Sequence, residues 1–258
     1  MTPHPDWIVP DWPAPSQVRA VFTTRAGGVS SPPFDSLNLG DHVRDTPASV
    51  SANRKILHDA LGVRPVYLQQ VHGTVALAID GNTPDGAVAD AAVSTQRGIA
   101  CTVMVADCLP VLLTDSVGTA VAAAHAGWRG LRQGVLEQVF AGFNECFRPP
   151  DLAGYARAAT NSIAYTTMAW LGPCIGPQAF EVGPEVLEAF VSLHPGARVM
   201  FKPGAQGKWL ADLAGLARLR LQALGITHIY GNDGSAAWCT VSNPSRFFSH
   251  RRDSLALG

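Results

Sequence analysis

The chain has 258 residues, of which 47% are hydrophobic and 15% charged, with a formal net charge of -1. That length and composition suit a compact core and exclude a disordered chain. The near-zero charge, with no basic run, gives no electrostatic footprint for nucleic acid. Five cysteines are scattered at 101, 108, 146, 174 and 239. Their odd count and lack of CxxC spacing point to reduced thiols and a cytoplasmic location. No apolar run reaches the ~20 residues of a membrane helix, and the N-terminus has no signal-peptide pattern. No nucleic-acid or membrane partner is therefore expected.

Residues 1–20 form a Pro-rich arm. "VRAVFTTR" alternates as a strand and leads into the Gly- and Pro-dense loop "AGGVSSPPFDSLNLGDH". "TPASVSANRKILHDALGV" is expected as a helix with a Thr or Ser cap and Gly62 as its stop. "PVYLQQVHG" and "TVALAID" are expected strands. "IACTVMV", "LPVLLTD" and "TAVAAAH" follow as three more, the last two joined by a "DSVG" hairpin turn. Helical spacing then runs through "LRQGVLEQVFAGFNECF". The Ala- and Thr-rich segment after it, "PPDLAGYARAATNSIAYTT", is an expected insertion or helix plus linker. "MAWLGPCIGP" is a strand that breaks at Gly-Pro, "GPEVLEAFVSLHP" a helix with Pro184 in its first turn, "KWLADLAGLARLRLQALGI" a longer helix and "THIYG" a short strand. Hairpins interrupt strict βαβ alternation, so an α+β fold is expected, in one domain over 1–258.

Three side chains share a setting beside apolar strands and Gly or Pro turns: His72 in "QQVHG", Cys108 in "VADCLP" and His125 in "AAAHAGWRG". If their strands are neighbours, two imidazoles and a thiolate converge. Such a set suits zinc, with three protein ligands and an open fourth position. It suits equally a cysteine hydrolase, in which imidazole activates the thiol. Residue spacing leaves both readings open, beside a third in which the residues are only core or structural. Arg25 and Arg129, each in a Gly-rich turn, are candidate anion binders, the alternative being a surface arginine in a salt bridge. Asn38 is a candidate for hydrogen bonding a sugar or base edge. Asp107 is a candidate for orienting His125 or a zinc-bound water, and Trp128 for stacking on a planar ligand.

"TTRAGGVS", "SLNLG", "QQVHG", "ADAAVST", "VADCLPVLL", "AAAHAGWRGL", "WLGPCIGPQAFEVG" and "FFSHRRD" together resemble the YfiH/PgeF family, also called the laccase-domain or multicopper polyphenol oxidoreductase group. The match runs from about Val21 to Asp253. The resemblance implies a layered α/β domain with mixed sheets and outer helices, a cytoplasmic setting, and a metal site at His72, Cys108 and His125. One zinc ion is the expected cofactor, with copper as the other candidate. The implied activities are phosphorolysis of adenosine, inosine and methylthioadenosine, and deamination of adenosine. In the latter, zinc-activated water suits attack on C6 of adenine. For phosphorolysis, Arg25 or Arg129 would neutralise phosphate, and Arg25, Asn38, Asp107 and Arg129 are the expected substrate-binding residues. The alternative is an amidase or cysteine hydrolase that removes L-serine from the peptidoglycan precursor UDP-MurNAc-L-Ser. Small-molecule partners and a monomer or small homo-oligomer are expected in either case. The laccase label asks for four coppers, and eight histidines with no HxH pair are too few for them. Two departures from the family pattern stand out: the segment from Pro149 to Thr167 is longer, and the pattern runs on into a further strand after "HRRDSLALG".

Overall fold

The computed structural model describes residues 3–147 and 163–257. Its centre is a mixed six-stranded sheet built from β3 (Ala76–Ala78), β5 (Ala91–Ser94), β7 (Leu109–Asp115), β8 (Val121–Ala126), β9 (Thr167–Leu171) and β13 (His228–Gly231), in the order β13-β9-β7-β8-β5-β3. The two outer pairs are parallel and the inner pairs antiparallel. β7 and β8 form the expected hairpin. Asp115 closes its turn by accepting hydrogen bonds from the backbone N–H groups of Val117, Thr119 and Ala120. The α+β class read from the hairpins is the observed one.

One face of the sheet carries the main core. Leu109, Val111 and Leu113 of β7 alternate onto that face, with Ala122 and Ala124 of β8 beside them. Two helices cover them: α3 (Val135–Glu145), through Leu136, Val139, Phe140 and Phe143, and α5 (Leu213–Ala223), through Leu213, Leu216, Ala217 and Leu221. The small residues of "TAVAAAH" let α3 approach β8 closely. The helical spacing of "LRQGVLEQVFAGFNECF" resolves into two helices rather than one. α2 (Trp128–Gln133) ends at Gly134, whose φ of 104° is a left-handed conformation, and α3 starts from the same residue.

Short parallel pairs cover the other face. β1 (Arg64–Val66) pairs with β6 (Ile99–Cys101), and β2 (Leu68–Gln69) pairs with β4 (Ala87–Val88). "PVYLQQVHG" is thus two strands, because the chain changes partner at Tyr67, whose N–H bonds the Asp85 carboxylate. "IACTVMV" stops as a strand at Cys101. Beyond it, the Gln70 side chain satisfies both the N–H and the C=O of Met104, in place of a ladder. α1 (Pro47–Leu61) is capped as expected by Thr46, which accepts from the Ser49 N–H, and by Gly62 at φ 65°.

Three further expectations change. "VRAVFTTR" forms no named strand: Phe22 makes one isolated bridge to Ile8, and the Pro-rich arm opposite lacks the donors to extend it. "KWLADLAGLARLRLQALGI" divides at Asp212. β12 (Trp209–Ala211) joins β10 (Glu181–Val182) and β11 (Phe201–Pro203) in a three-stranded antiparallel sheet, and Asp212 caps α5 by accepting from the Gly215 N–H. The proline-started helix runs Pro184–Val191 (α4), ending one turn before Pro195. The chain closes in α6 (His250–Leu257). The expected insertion lies mainly outside the described residues, which resume with a helical turn at 163–166.

Gly134 is where the two helices meet in a left-handed backbone. Ala at that position carries the left-handed penalty of about 1–2 kcal/mol. Gly134→Ala is expected to lower the urea midpoint correspondingly, with an unchanged slope; no loss of stability would show that the junction does not require a glycine.

Candidate metal and active site

Sheet order gathers residues that are far apart in sequence. In the register of β7 and β8, Pro110 faces His125, so Cys108, just before β7, lies at the same sheet end as His125, near the end of β8. β5 pairs with the other edge of β8, with Ala91 opposite Ala124, and the His125 N–H donates to the Asp90 carbonyl at 2.7 Å. β3 lies beyond β5, and the turn leading into it carries His72. His72, Asp90, Cys108 and His125 therefore meet at one end of four adjacent strands.

The Sγ of Cys108 and ring nitrogens of His72 and His125 lie within 4.8 Å of one another, the sole such three-residue group among the described residues. Cys108 Sγ is 3.7 Å from His72 Nε2, and the two imidazoles meet edge to face with centroids 4.7 Å apart. His72 is exposed, Cys108 half-buried and His125 buried, so the cluster opens to solvent on the His72 side. Its ligand-type atoms belong to two different turns and one strand end, not to a strand end in every case: Cys108 precedes β7, separated from β6 by the irregular stretch from Thr102.

Asp90 is the residue the sequence reading missed. Fully buried, its carboxylate accepts the backbone N–H groups of Val71, His72 and Gly73 at 3.2, 2.9 and 2.7 Å. It also lies 2.8 Å from His125 Nδ1. The pairing puts a proton on Nδ1, so Nε2 is the nitrogen that faces the cluster and the one whose proton an entering cation would displace. A carboxylate in an otherwise apolar run, "AVADAAVS", was the available signal.

Electrostatics follow from this packing. Burial works against ionisation of all three groups, and their mutual contacts overcome it. Desolvation would raise the Cys108 pKa, but hydrogen bonds with His125 and His72 bring it down to about 7. Desolvation would lower that of His125, but Asp90 and the Cys108 sulfur raise it to about 9. Asp90 is held below the ordinary carboxylate range against its own burial, by His125 and the backbone amides. The cluster favours thiolate beside imidazolium, a pair from which protons leave when a cation enters.

Two close approaches require glycine. A Cβ on Gly127 would lie 2.9 Å from Cys108 Sγ and 2.9 Å from His72 Cδ2; one on Gly130 would lie 2.7 Å from the Gly73 carbonyl oxygen. The "HAGWRG" glycines thus let the His125 turn nest against both other turns.

The remaining candidates fall elsewhere. Asp107 does not orient His125; that place belongs to Asp90. The Asp107 carboxylate instead accepts the Thr240 hydroxyl at 2.5 Å and the Arg251 N–H at 2.6 Å. Its backbone is left-handed, with φ at 89°. Arg25 spans its own loop, donating to the carbonyls of Asp35 and Pro244 and to the Asp35 carboxylate, and lies over Phe248. Asn38 holds Gly40 and Asp45. Both line a large cavity that the His-Cys-His cluster does not line. Arg129 is exposed, its guanidinium over the Trp128 ring at 4.5 Å, four residues from His125. Trp128 is thereby engaged by Arg129 on one face.

Residues 19–258 match the family model described as multi-copper polyphenol oxidoreductase laccase. The chain belongs to this family. Among its relatives, purine nucleoside phosphorylase PA4543 of Pseudomonas aeruginosa is 49% identical across 96% of this chain and 93% of the relative. Purine nucleoside phosphorylase YfiH of Escherichia coli is 47% identical across 95% and 93%. The crystal structure of Neisseria meningitidis protein NMB0706, of the DUF152 family, superposes with a TM-score of 0.83 at 45% identity, covering 96% of this chain and 94% of that one. These relatives make the resemblance read from the motifs a family membership. No described helix is long and apolar enough to cross a membrane.

Asp90→Ala would leave three backbone donors and a buried imidazole without their acceptor. The expected cost is about 3–5 kcal/mol in denaturant unfolding, with faster amide exchange at residues 71–73. Unchanged exchange there would show that the carboxylate does not organise the turn.

Proposed function

We propose that this chain is a purine nucleoside phosphorylase whose reaction centre is a zinc site made by His72, Cys108 and His125. The observation that carries the reading is the convergence of those three side chains on an Asp90 scaffold, in a chain about half identical to relatives named for that activity. The donors fit the ion. Zinc bonds of ~2.3 Å to sulfur and ~2.0 Å to nitrogen in a tetrahedron put sulfur and nitrogen roughly 3.5 Å apart. The Cys108–His72 separation of 3.7 Å is close to that. Asp90 completes the carboxylate–histidine arrangement that orients such ligands. When bound, the ion supplies Lewis acidity with an open coordination position. Copper remains the other candidate for the same soft donor set.

In phosphorolysis the C1′–N bond of the nucleoside breaks as a phosphate oxygen bonds C1′, and the departing base takes up a proton, giving free base and ribose 1-phosphate, or 5-methylthioribose 1-phosphate from methylthioadenosine. His125 is held in one tautomer by Asp90 throughout. Arg129, exposed four residues from His125 and stacked on the Trp128 ring, is the proposed cation for phosphate. Arg25, Asn38 and Asp107 act through the loops they brace. Adenosine, inosine and methylthioadenosine are the proposed substrates, and adenosine deamination is a second proposed activity of the centre. The five free thiols suit a cytoplasmic protein. A second reading rests on the lowered Cys108 pKa: Cys108 as the nucleophile of an amidase acting on a peptidoglycan precursor.

Metal analysis of wild type and Cys108→Ala, with product analysis on adenosine, inosine and methylthioadenosine plus phosphate, separates these readings. Stoichiometric zinc, ribose 1-phosphate formation, and loss of both in Cys108→Ala are expected. Asp90→Asn should weaken metal binding about 10–100-fold. A metal-free protein that forms a covalent acyl adduct on Cys108 would replace the phosphorylase with the amidase.

A further inference from the structure

A cavity of about 930 Å³ lies over the sheet face opposite the main core, outside the His-Cys-His cluster. It is near the upper end of the ~300–1,000 Å³ typical of small-molecule sites, larger than one purine ring or one phosphate needs. Leu112 reveals that this space is accessible. It lies in the middle of β7, a central strand, between fully paired neighbours, yet its side chain is only partly buried. Around it the walls are apolar from several elements: Phe22 from the N-terminal stretch, Met104 from the segment after β6, Val121 from β8 and Phe248 near the C-terminus.

The charge of this lining is one-sided. No aspartate or glutamate lines the cavity, although the chain has 20 acidic residues. Several polar side chains in the wall are already satisfied. Ser94 donates to the Ile79 carbonyl, Thr240 to Asp107, and Gln17 to the Val117 carbonyl. Arg25 has its Asp35 partner. Arg19 and Arg97 are different: both line the cavity, both are exposed, and neither has a hydrogen bond or ion pair among the described residues. The cavity therefore offers an accessible apolar body and two uncommitted guanidinium groups.

We infer that this cavity is a binding site for a long-chain aliphatic carboxylate, its chain along Leu112 and its carboxylate met by Arg19 and Arg97. An apolar chain gains by leaving water in proportion to the area buried, and guanidinium is the side-chain partner best matched to a carboxylate. The site is separate from the metal cluster and does not depend on the phosphorylase reading.

The test is fluorescence titration of wild type with cis-parinarate, displaced by palmitate or by hexadecanol, which has the same chain without the charge. Saturable binding displaced by both is expected. Arg19→Glu/Arg97→Glu should weaken palmitate roughly tenfold, the loss of about one charge-assisted contact, and leave hexadecanol unchanged. Leu112→Trp should weaken both competitors, and Leu112→Phe, a smaller intrusion, serves if the Trp variant does not fold. The thermal transition of each variant reports folding. No saturable parinarate binding overturns the site, as does binding that no Leu112 variant alters. Equal losses of palmitate and hexadecanol on charge reversal overturn the carboxylate assignment.

Discussion

The Asp90 carboxylate is the interaction on which this site depends. It accepts three consecutive backbone N–H groups from one turn and faces the imidazole of a residue on the neighbouring strand, β8. A carboxylate can do this because it has two oxygens and about four lone-pair directions; an amide or hydroxyl at the same place would have to present a donor to donors. Burying the charge is costly in isolation, and the four partners offset that cost. His72 gains its position from its backbone and His125 from its side chain. One group thus arranges two of the three ligand-type residues before any cation is present. Such prior arrangement reduces the ordering cost of binding an ion.

The third, Cys108, is placed by a different device. Asp107 before it is one of three non-glycine residues with left-handed backbone among the described residues, and His72 is another. Backbone in that region is costly for such residues and persists where surroundings over-determine it. At Asp107 the surroundings are Thr240 and Arg251 on its carboxylate and the Ile175 N–H on its carbonyl. The C-terminal segment therefore fixes the turn that presents Cys108, although none of its residues is among the ligand-type three. Gly127 then closes the arrangement by having no Cβ where Sγ and the His72 ring need space.

Much of this was legible in residue types, and the rest was not for physical reasons. The two capped or proline-started helices and the β7–β8 hairpin carry local signals, and they appear where those signals lie. His72, Cys108 and His125 stood out as chemistry beside turns, and the family motifs grouped them. What local pattern could not supply is sheet order, since β3, β5, β8 and β7 are neighbours through long-range pairing. Asp90 holds the role expected of Asp107 for the same reason: adjacency to Cys108 in the chain made Asp107 look like the orienting acid, while register made it Asp90. "IACTVMV" failed as a full strand because Gln70, remote in sequence, supplies the hydrogen bonds a ladder would have made.

The family's laccase name can be weighed against this geometry. A type 1 copper and a trinuclear cluster together require histidines gathered at several closely spaced positions. Here His72 and His125 share one cluster with Cys108, and no second group of three metal-binding side chains occurs among the described residues. The ring nitrogen of His125 not facing that cluster is occupied by Asp90, so it cannot bridge to another ion. A single-ion centre is what the donor set can complete. The soft sulfur and two imidazoles make a three-ligand set that is open on its His72 side, whereas a structural zinc site is closed by four protein ligands.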